Sequence, residues 1–192
     1  MVKVYYWHPN TSDKVAFKKD KNDFGHISIS AEHESENVYI SFYPETELPL
    51  GSLILPRITV YSDLKTYAED LLIMESEPDY VIEIRDLNSK LIFDYLQKVK
   101  TQKVKYNLYI NNCANVVYNG LVNCCTARKY TYKYFKFKFS DNGMRDEKIA
   151  LNNKLHGYGK LLYRSFEKAG FISPFRVLSF AKFISMTSKN AN

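Results

Sequence analysis

The sequence predicts an α+β fold in which a small antiparallel sheet packs on a helix whose first turn holds a cysteine. Three patterns predict it. Residues 25–43 form two runs in which apolar and polar side chains alternate, the period of strands with one buried face. Residues 88–100 and 113–124 instead repeat apolar side chains every three to four positions, the period of helices. The tail continues with two more stretches of helical character. At 192 residues, 45% hydrophobic and 25% charged, the chain fits a single domain spanning residues 1–192 with a real core.

Val2 to Trp7 reads as an opening strand closed by His8-Pro9, followed by a polar, lysine-rich loop from Asn10 to Asp23. In the hairpin, Ile27, Ile29 and Ala31 alternate with His26, Ser28 and Ser30. Val38, Ile40 and Phe42 alternate with Tyr39, Ser41 and Tyr43, and Glu32 to Asn37 is expected to turn the chain between them. If the apolar rows share the buried face, His26 shares the other with Tyr39, Ser41 and Tyr43. Three prolines and a glycine make Pro44 to Pro56 a loop, placed to rim a cleft, before a short helix around Leu64 to Leu72. Tyr80 to Ile84 is a strand. Asn88 or Ser89 caps a helix to about Lys100 with Leu91, Ile92, Tyr95, Leu96 and Val99 at helical spacing.

Tyr106 to Ile110 runs extended or looped into Asn111-Asn112-Cys113. From there Val116, Val117, Leu121 and Cys124 repeat with helical period, and Gly120 permits close packing. Tyr130 to Phe139 is a long strand with Asp141-Asn142-Gly143 as its turn. Two helices follow, from about Leu151 to Ala169 and from Ser173 to about Met186, the second with Ser173 as N-cap and Pro174 at its first position.

Charge and cysteine usage narrow the chemistry. Residues 1–96 hold 9 Lys and Arg against 17 Asp and Glu, and residues 97–192 hold 18 against 4, so a net +6 divides into −8 and +14. The basic half is the one that would attract an anionic partner such as acidic protein, membrane or nucleic acid. Lys129, Lys133, Lys136 and Lys138 with interleaved aromatics carry that expectation, and an amphipathic edge strand explains them equally well. Three cysteines, two of them adjacent, fit a reducing compartment better than a disulfide framework. No cleaved signal peptide and no membrane-spanning run is expected. The chain is read as cytoplasmic, or as secreted without a cleaved signal into a host or target-cell cytosol. Scattered histidines without paired cysteine spacing exclude a zinc motif, no glycine-rich phosphate loop is present, and no cofactor is expected.

What remains is thiol chemistry. Cys113 at a helix start feels the positive end of the helix dipole, which favours the attacking thiolate. His26, at the head of a strand, is the expected base. His8 is its rival, while His33 and His156 are expected in solvent. Ser41 and Tyr43 are the geometric choices for orienting the imidazole, with Glu32 and Glu34 as stronger acceptors placed in a turn. The backbone N–H of Cys113, joined by the side chains of Asn111 or Asn112, is the expected oxyanion donor set, although helix capping explains both asparagines as well.

The run Tyr106-Asn107-Leu108 followed by Asn111-Asn112-Cys113 resembles the nucleophile segment of the lecithin:retinol acyltransferase-like and phospholipase-acyltransferase families. These belong to the circularly permuted branch of the NlpC/P60 papain-like superfamily, in which the histidine strand precedes the cysteine helix. The resemblance implies an antiparallel sheet packed on the nucleophile-bearing helix. It also implies attack of Cys113 on an acyl carbonyl of a protein, peptide or lipid, and a thioester intermediate passed to water or another acceptor. Those families follow the cysteine with an acidic residue and a histidine, where this chain has Ala114-Asn115, so their lipid substrates do not carry over. By analogy the reading extends to a bacterial effector or toxin. The alternative is a catalytically inactive module that binds an anionic partner through its basic half.

Overall fold

The computed structural model describes residues 1–9, 25–45, 60–85, 87–108, 110–124 and 172–189. Six strands form one sheet in the order β5-β1-β2-β3-β4-β6: β1 (Val2–Trp7), β2 (His26–His33), β3 (Glu36–Pro44), β4 (Val60–Lys65), β5 (Tyr80–Ile84) and β6 (Lys105–Tyr106). Every pairing between neighbours is antiparallel. Among the described residues four helices accompany them: α1 (Tyr67–Met74), α2 (Ser89–Thr101), α3 (Cys113–Cys124) and α4 (Pro174–Lys189). The coarse α+β expectation therefore holds, with the sheet packed against the cysteine-bearing helix α3.

Alternation decides which side of the sheet is core. Val2, Val4, Tyr6, Ile27, Ile29, Ala31, Val38, Ile40 and Phe42 are all buried on one face. Against it pack Ile92 and Leu96 of α2, Val117 and Leu121 of α3, and Val177, Leu178 and Ala181 of α4. Gly120 is where α2 and α3 approach: a Cβ there would lie 3.1 Å from the Tyr95 ring, which is pinned by its hydroxyl donating to Val116 O at 3.1 Å. The opposite face of β2 and β3 carries His26, Ser28, Ser41 and Tyr43, and α1 covers it with Asp70 and Met74 as its buried residues.

Two expectations need correction. The turn of the β2–β3 hairpin is not the stretch Glu32 to Asn37 but the two residues Glu34 and Ser35, and the strands pair out to His33 and Glu36. Both turn residues have positive φ, 48° and 69°, which matches the right-handed twist of two-residue hairpins without the usual glycine. The helix expected at Leu64 to Leu72 begins at Tyr67, because Val60–Lys65 pairs with β3 and β6 as strand β4. Thr66 separates the two with a capping box: its side chain accepts from Glu69 N–H while the Glu69 carboxylate accepts from Thr66 N–H. The loops expected at Asn10 to Asp23 and over most of Pro44 to Pro56 lie outside the described residues. So do the strand Tyr130 to Phe139, its turn and the helix Leu151 to Ala169.

Candidate functional site

The site begins at Gly25, whose φ of +75° turns the chain into β2; a Cβ there would lie 2.8 Å from the carbonyl oxygen of Trp7. This turn places His26 at the head of a central strand, opposite Trp7 of β1. The β2–β3 register that joins Ile29 to Ile40 and Ser30 to Tyr39 puts Ser41 and Tyr43 on the same face as His26. His26 Nε2 lies 2.8 Å from Ser41 Oγ, and the Tyr43 ring stacks on the imidazole at 4.4 Å between centroids with 17° between planes. Of the two expected orienting residues, Ser41 bonds the imidazole directly and Tyr43 covers it.

The residue that sequence reasoning missed is Asp70. It is fully buried on α1 and takes hydrogen bonds from Ser41 Oγ, at 2.7 Å to Oδ1, and from the Tyr39 hydroxyl to Oδ2. His26 Nε2 is 3.6 Å from Asp70 Oδ2. Each hydroxyl has one proton, so the directions follow from the carboxylate, which only accepts when ionised. Ser41 donates to Asp70 and therefore accepts from His26 Nε2–H. Tyr39 likewise donates to Asp70 and accepts from Ser28 Oγ, 2.6 Å away. In the neutral imidazole this network places the proton on Nε2.

That thiol sits at the first residue of α3. Asn112 and Asn115 hold the helix start reciprocally: Asn115 N–H donates to Asn112 Oδ1 at 2.9 Å, and Asn112 N–H donates to Asn115 Oδ1 at 3.1 Å. Asn112 also sends its amide to Leu108 O at 2.6 Å, and Asn111 sends its own to Lys105 O. Both asparagines expected at an oxyanion thus hold the loop and helix start in place, and the Asn115 and Val116 N–H groups are taken by Asn112, which leaves the Cys113 backbone N–H of the expected donor set. Cys113 is 8% exposed and His26 3%, so the pair lies at the margin of the core beside Tyr106.

The Cys113 sulfur and the His26 imidazole, 87 positions apart along the chain, lie close enough for the sulfur to act on the ring. Burial alone would lower the imidazole pKa, but the Asp70 carboxylate and the Cys113 thiol outweigh it and raise it to about 9. Burial works equally against the charge of Asp70, and hydrogen bonds from His26, Tyr39 and Ser41 reverse it, holding the carboxyl below its usual range. Burial, reinforced by the charges of Asp70 and Cys113, pushes the Tyr43 phenol well up, and burial with Cys113 does the same to Tyr106, so both stay neutral.

The other candidates are placed elsewhere. His8 is buried, its Nδ1 3.3 Å from the Tyr6 hydroxyl and its backbone N–H donating to Asp79 at 2.7 Å. His33 pairs with the exposed Glu34 at 3.4 Å, and Glu32 belongs to the far end of β2, paired with Asn37. His156 and the lysines of 129–138 lie outside the described residues. Among the described residues no cluster of three metal-ligating side chains occurs, and no helix is long and apolar enough to cross a membrane. No family model, curated protein or solved structure matches the chain.

Proposed function

We propose that this chain is a cysteine hydrolase or acyltransferase of the circularly permuted papain-like, NlpC/P60 type, with Cys113 as nucleophile, His26 as proton carrier and the Ser41–Asp70 pair holding the imidazole. The observation that supports it most is that His26 is joined on one side to Cys113 and on the other, through Nε2, to Ser41 and Asp70. A histidine strand that precedes a cysteine helix in the chain agrees with the permuted order. An ordinary structural histidine needs no carboxylate withdrawn from water behind it.

In the proposed reaction the Cys113 thiol gives its proton to His26 Nδ1, and the sulfur forms a bond to an acyl carbonyl carbon. The carbonyl π pair moves onto oxygen, where the backbone N–H of Cys113 donates to the developing charge. The imidazolium, braced by Ser41 and Asp70, protonates the departing amine or alcohol as the intermediate collapses to a thioester. Water or a second acceptor then attacks that thioester, loses its proton to His26, and the returning sulfur regains a proton. Peptide, amide and ester carbonyls all satisfy this chemistry.

A small activated ester such as p-nitrophenyl acetate tests the reading without knowledge of the substrate. Intact-mass and peptide analysis should find one acetyl group on Cys113 in the wild type and none at other residues of a Cys113→Ala variant. Acetylation spread over lysines, with Cys113 unmodified, would overturn the reading.

A further inference from the structure

The His26 imidazole is flanked by an aromatic ring from each neighbouring strand. On the β3 side Tyr43 lies nearly parallel to it at 4.4 Å, and on the β1 side the Trp7 indole sits 5.6 Å away at 41°. The arrangement follows from the topology. β2 lies between β1 and β3, Trp7 is the direct register partner of His26, and Tyr43 lies on the same face of the next strand. The Trp7 ring is held independently of the histidine: its indole N–H donates to Ser76 O at 3.1 Å, and Trp7 is 1% exposed. The Tyr43 hydroxyl is buried and makes no hydrogen bond, although Asp70 and Ser41 lie near it. A buried phenol oxygen without a partner is unfavourable, so what Tyr43 contributes beside His26 is its ring.

We infer that Trp7 and Tyr43 are positioning residues of the proposed nucleophile. They flank the imidazole, Tyr43 stacked on it and Trp7 tilted against its other side, exclude water from it, and favour its imidazolium form beside the sulfur. The negative faces of aromatic rings attract a cation, and the effect grows as water is removed. The groups that act on His26 come from every surrounding element: Cys113 from α3, Asp70 from α1, Ser41 and Tyr43 from β3, and Trp7 from β1. None of the charged groups among them is a cation, so excluding water strengthens their attraction for the imidazolium, while burial itself works against the charge. Leucine in place of either ring keeps the apolar cover and its opposition to charge but removes the π face, so the imidazolium loses an attractive partner and the ring moves towards an ordinary histidine.

The inference rests on the proposed thiol–imidazole pair, but its test reads the histidine itself and needs no turnover. In the full chain labelled at the histidine ring nitrogens, NMR titration follows the His26 midpoint. We expect a midpoint near 9 in the wild type. Tyr43→Phe should leave it in place, because the ring remains and the hydroxyl had no bond. Tyr43→Leu should lower it by about one pH unit or more, and Trp7→Leu should do the same, with Trp7→Phe restoring part of the loss. Amide spectra of each variant establish that it is folded, and Tyr43→Leu stands alone if Trp7→Leu unfolds. A midpoint that stays near the wild-type value in folded Tyr43→Leu would overturn the inference. A Tyr43→Phe midpoint that falls as far as that of Tyr43→Leu would overturn it too, by assigning the effect to the hydroxyl. An inert Cys113 with a normal response to ring removal would instead count against the catalytic reading and leave the role of the two rings standing.

Discussion

Replacing Asp70 with alanine lowers folding stability by about 3–5 kcal/mol, the typical cost of breaking a buried, hydrogen-bonded ionic partnership by removing one member. Two hydroxyls, of Ser41 and Tyr39, donate to this carboxylate and the His26 Nε2 lies 3.6 Å from it; in the variant both hydroxyls lose their acceptor and the imidazole loses its nearby negative charge. Asp70→Asn fills the space but supplies an amide that donates as well as accepts, so Ser41 loses its obligatory acceptor and the Nε2–H tautomer of His26 loses its anchor. Acyl transfer through Cys113 should then fall by roughly 10³–10⁴-fold while the variant remains folded, the scale seen when the orienting carboxylate of a catalytic triad is made an amide. Chemical denaturation of both variants, with the acetylation rate of the asparagine variant, checks the two halves of this prediction. A stable Asp70→Ala protein with unchanged acylation would contradict it.

The second large effect is on the pH dependence of stability. The folded protein raises the His26 pKa to about 9, against 6.5 for an ordinary histidine. Between those values the folded state holds a proton that the unfolded chain has lost. Stability from this group is therefore complete below about pH 6.5 and drains away as pH rises through 9. Asp70 acts in the opposite sense: its lowered pKa adds stability above the ordinary carboxyl range, and that stability is lost as acid protonates the folded site. Denaturation midpoints in a pH series should show the wild type losing about 1–3 kcal/mol between neutral pH and pH 9. His26→Gln should lack that component, and Cys113→Ala should show a reduced one because Cys113 is one of the two partners that raise the ring. Parallel curves for wild type and His26→Gln would contradict the assignment.

Much of this site was legible because a strand has only two faces. The alternation around His26 and around Tyr39, Ser41 and Tyr43 placed these residues together before any coordinates, and the hairpin register agrees. The cysteine at a helix start was legible for a similar reason, since apolar period and capping asparagines both begin at residue 113. Asp70 was not, although its signal was present. It stands three residues after Tyr67 and four before Met74, in the row that α1 turns inward, and a carboxylate in a buried row demands partners. A helix taken from Leu64 hides that row, because the alternation of β4 is short; Thr66-x-x-Glu69 is the local signal that sets the start at Tyr67. Trp7 escaped notice for a different reason: only pairing between β1 and β2 makes it a neighbour of His26, and register between distant strands leaves no local trace in sequence.

The most direct measurement is the rate at which iodoacetamide alkylates Cys113 across pH 5 to 10, in the wild type and in His26→Ala, with the alkylated residue identified by peptide mass. The account predicts that wild-type Cys113 reacts at pH 6–7 at least about tenfold faster than the same thiol in the denatured chain, and that His26→Ala removes the excess. Rates that follow the ordinary ionisation of a cysteine in both proteins, or a wild-type Cys113 slower than the denatured thiol, would contradict it.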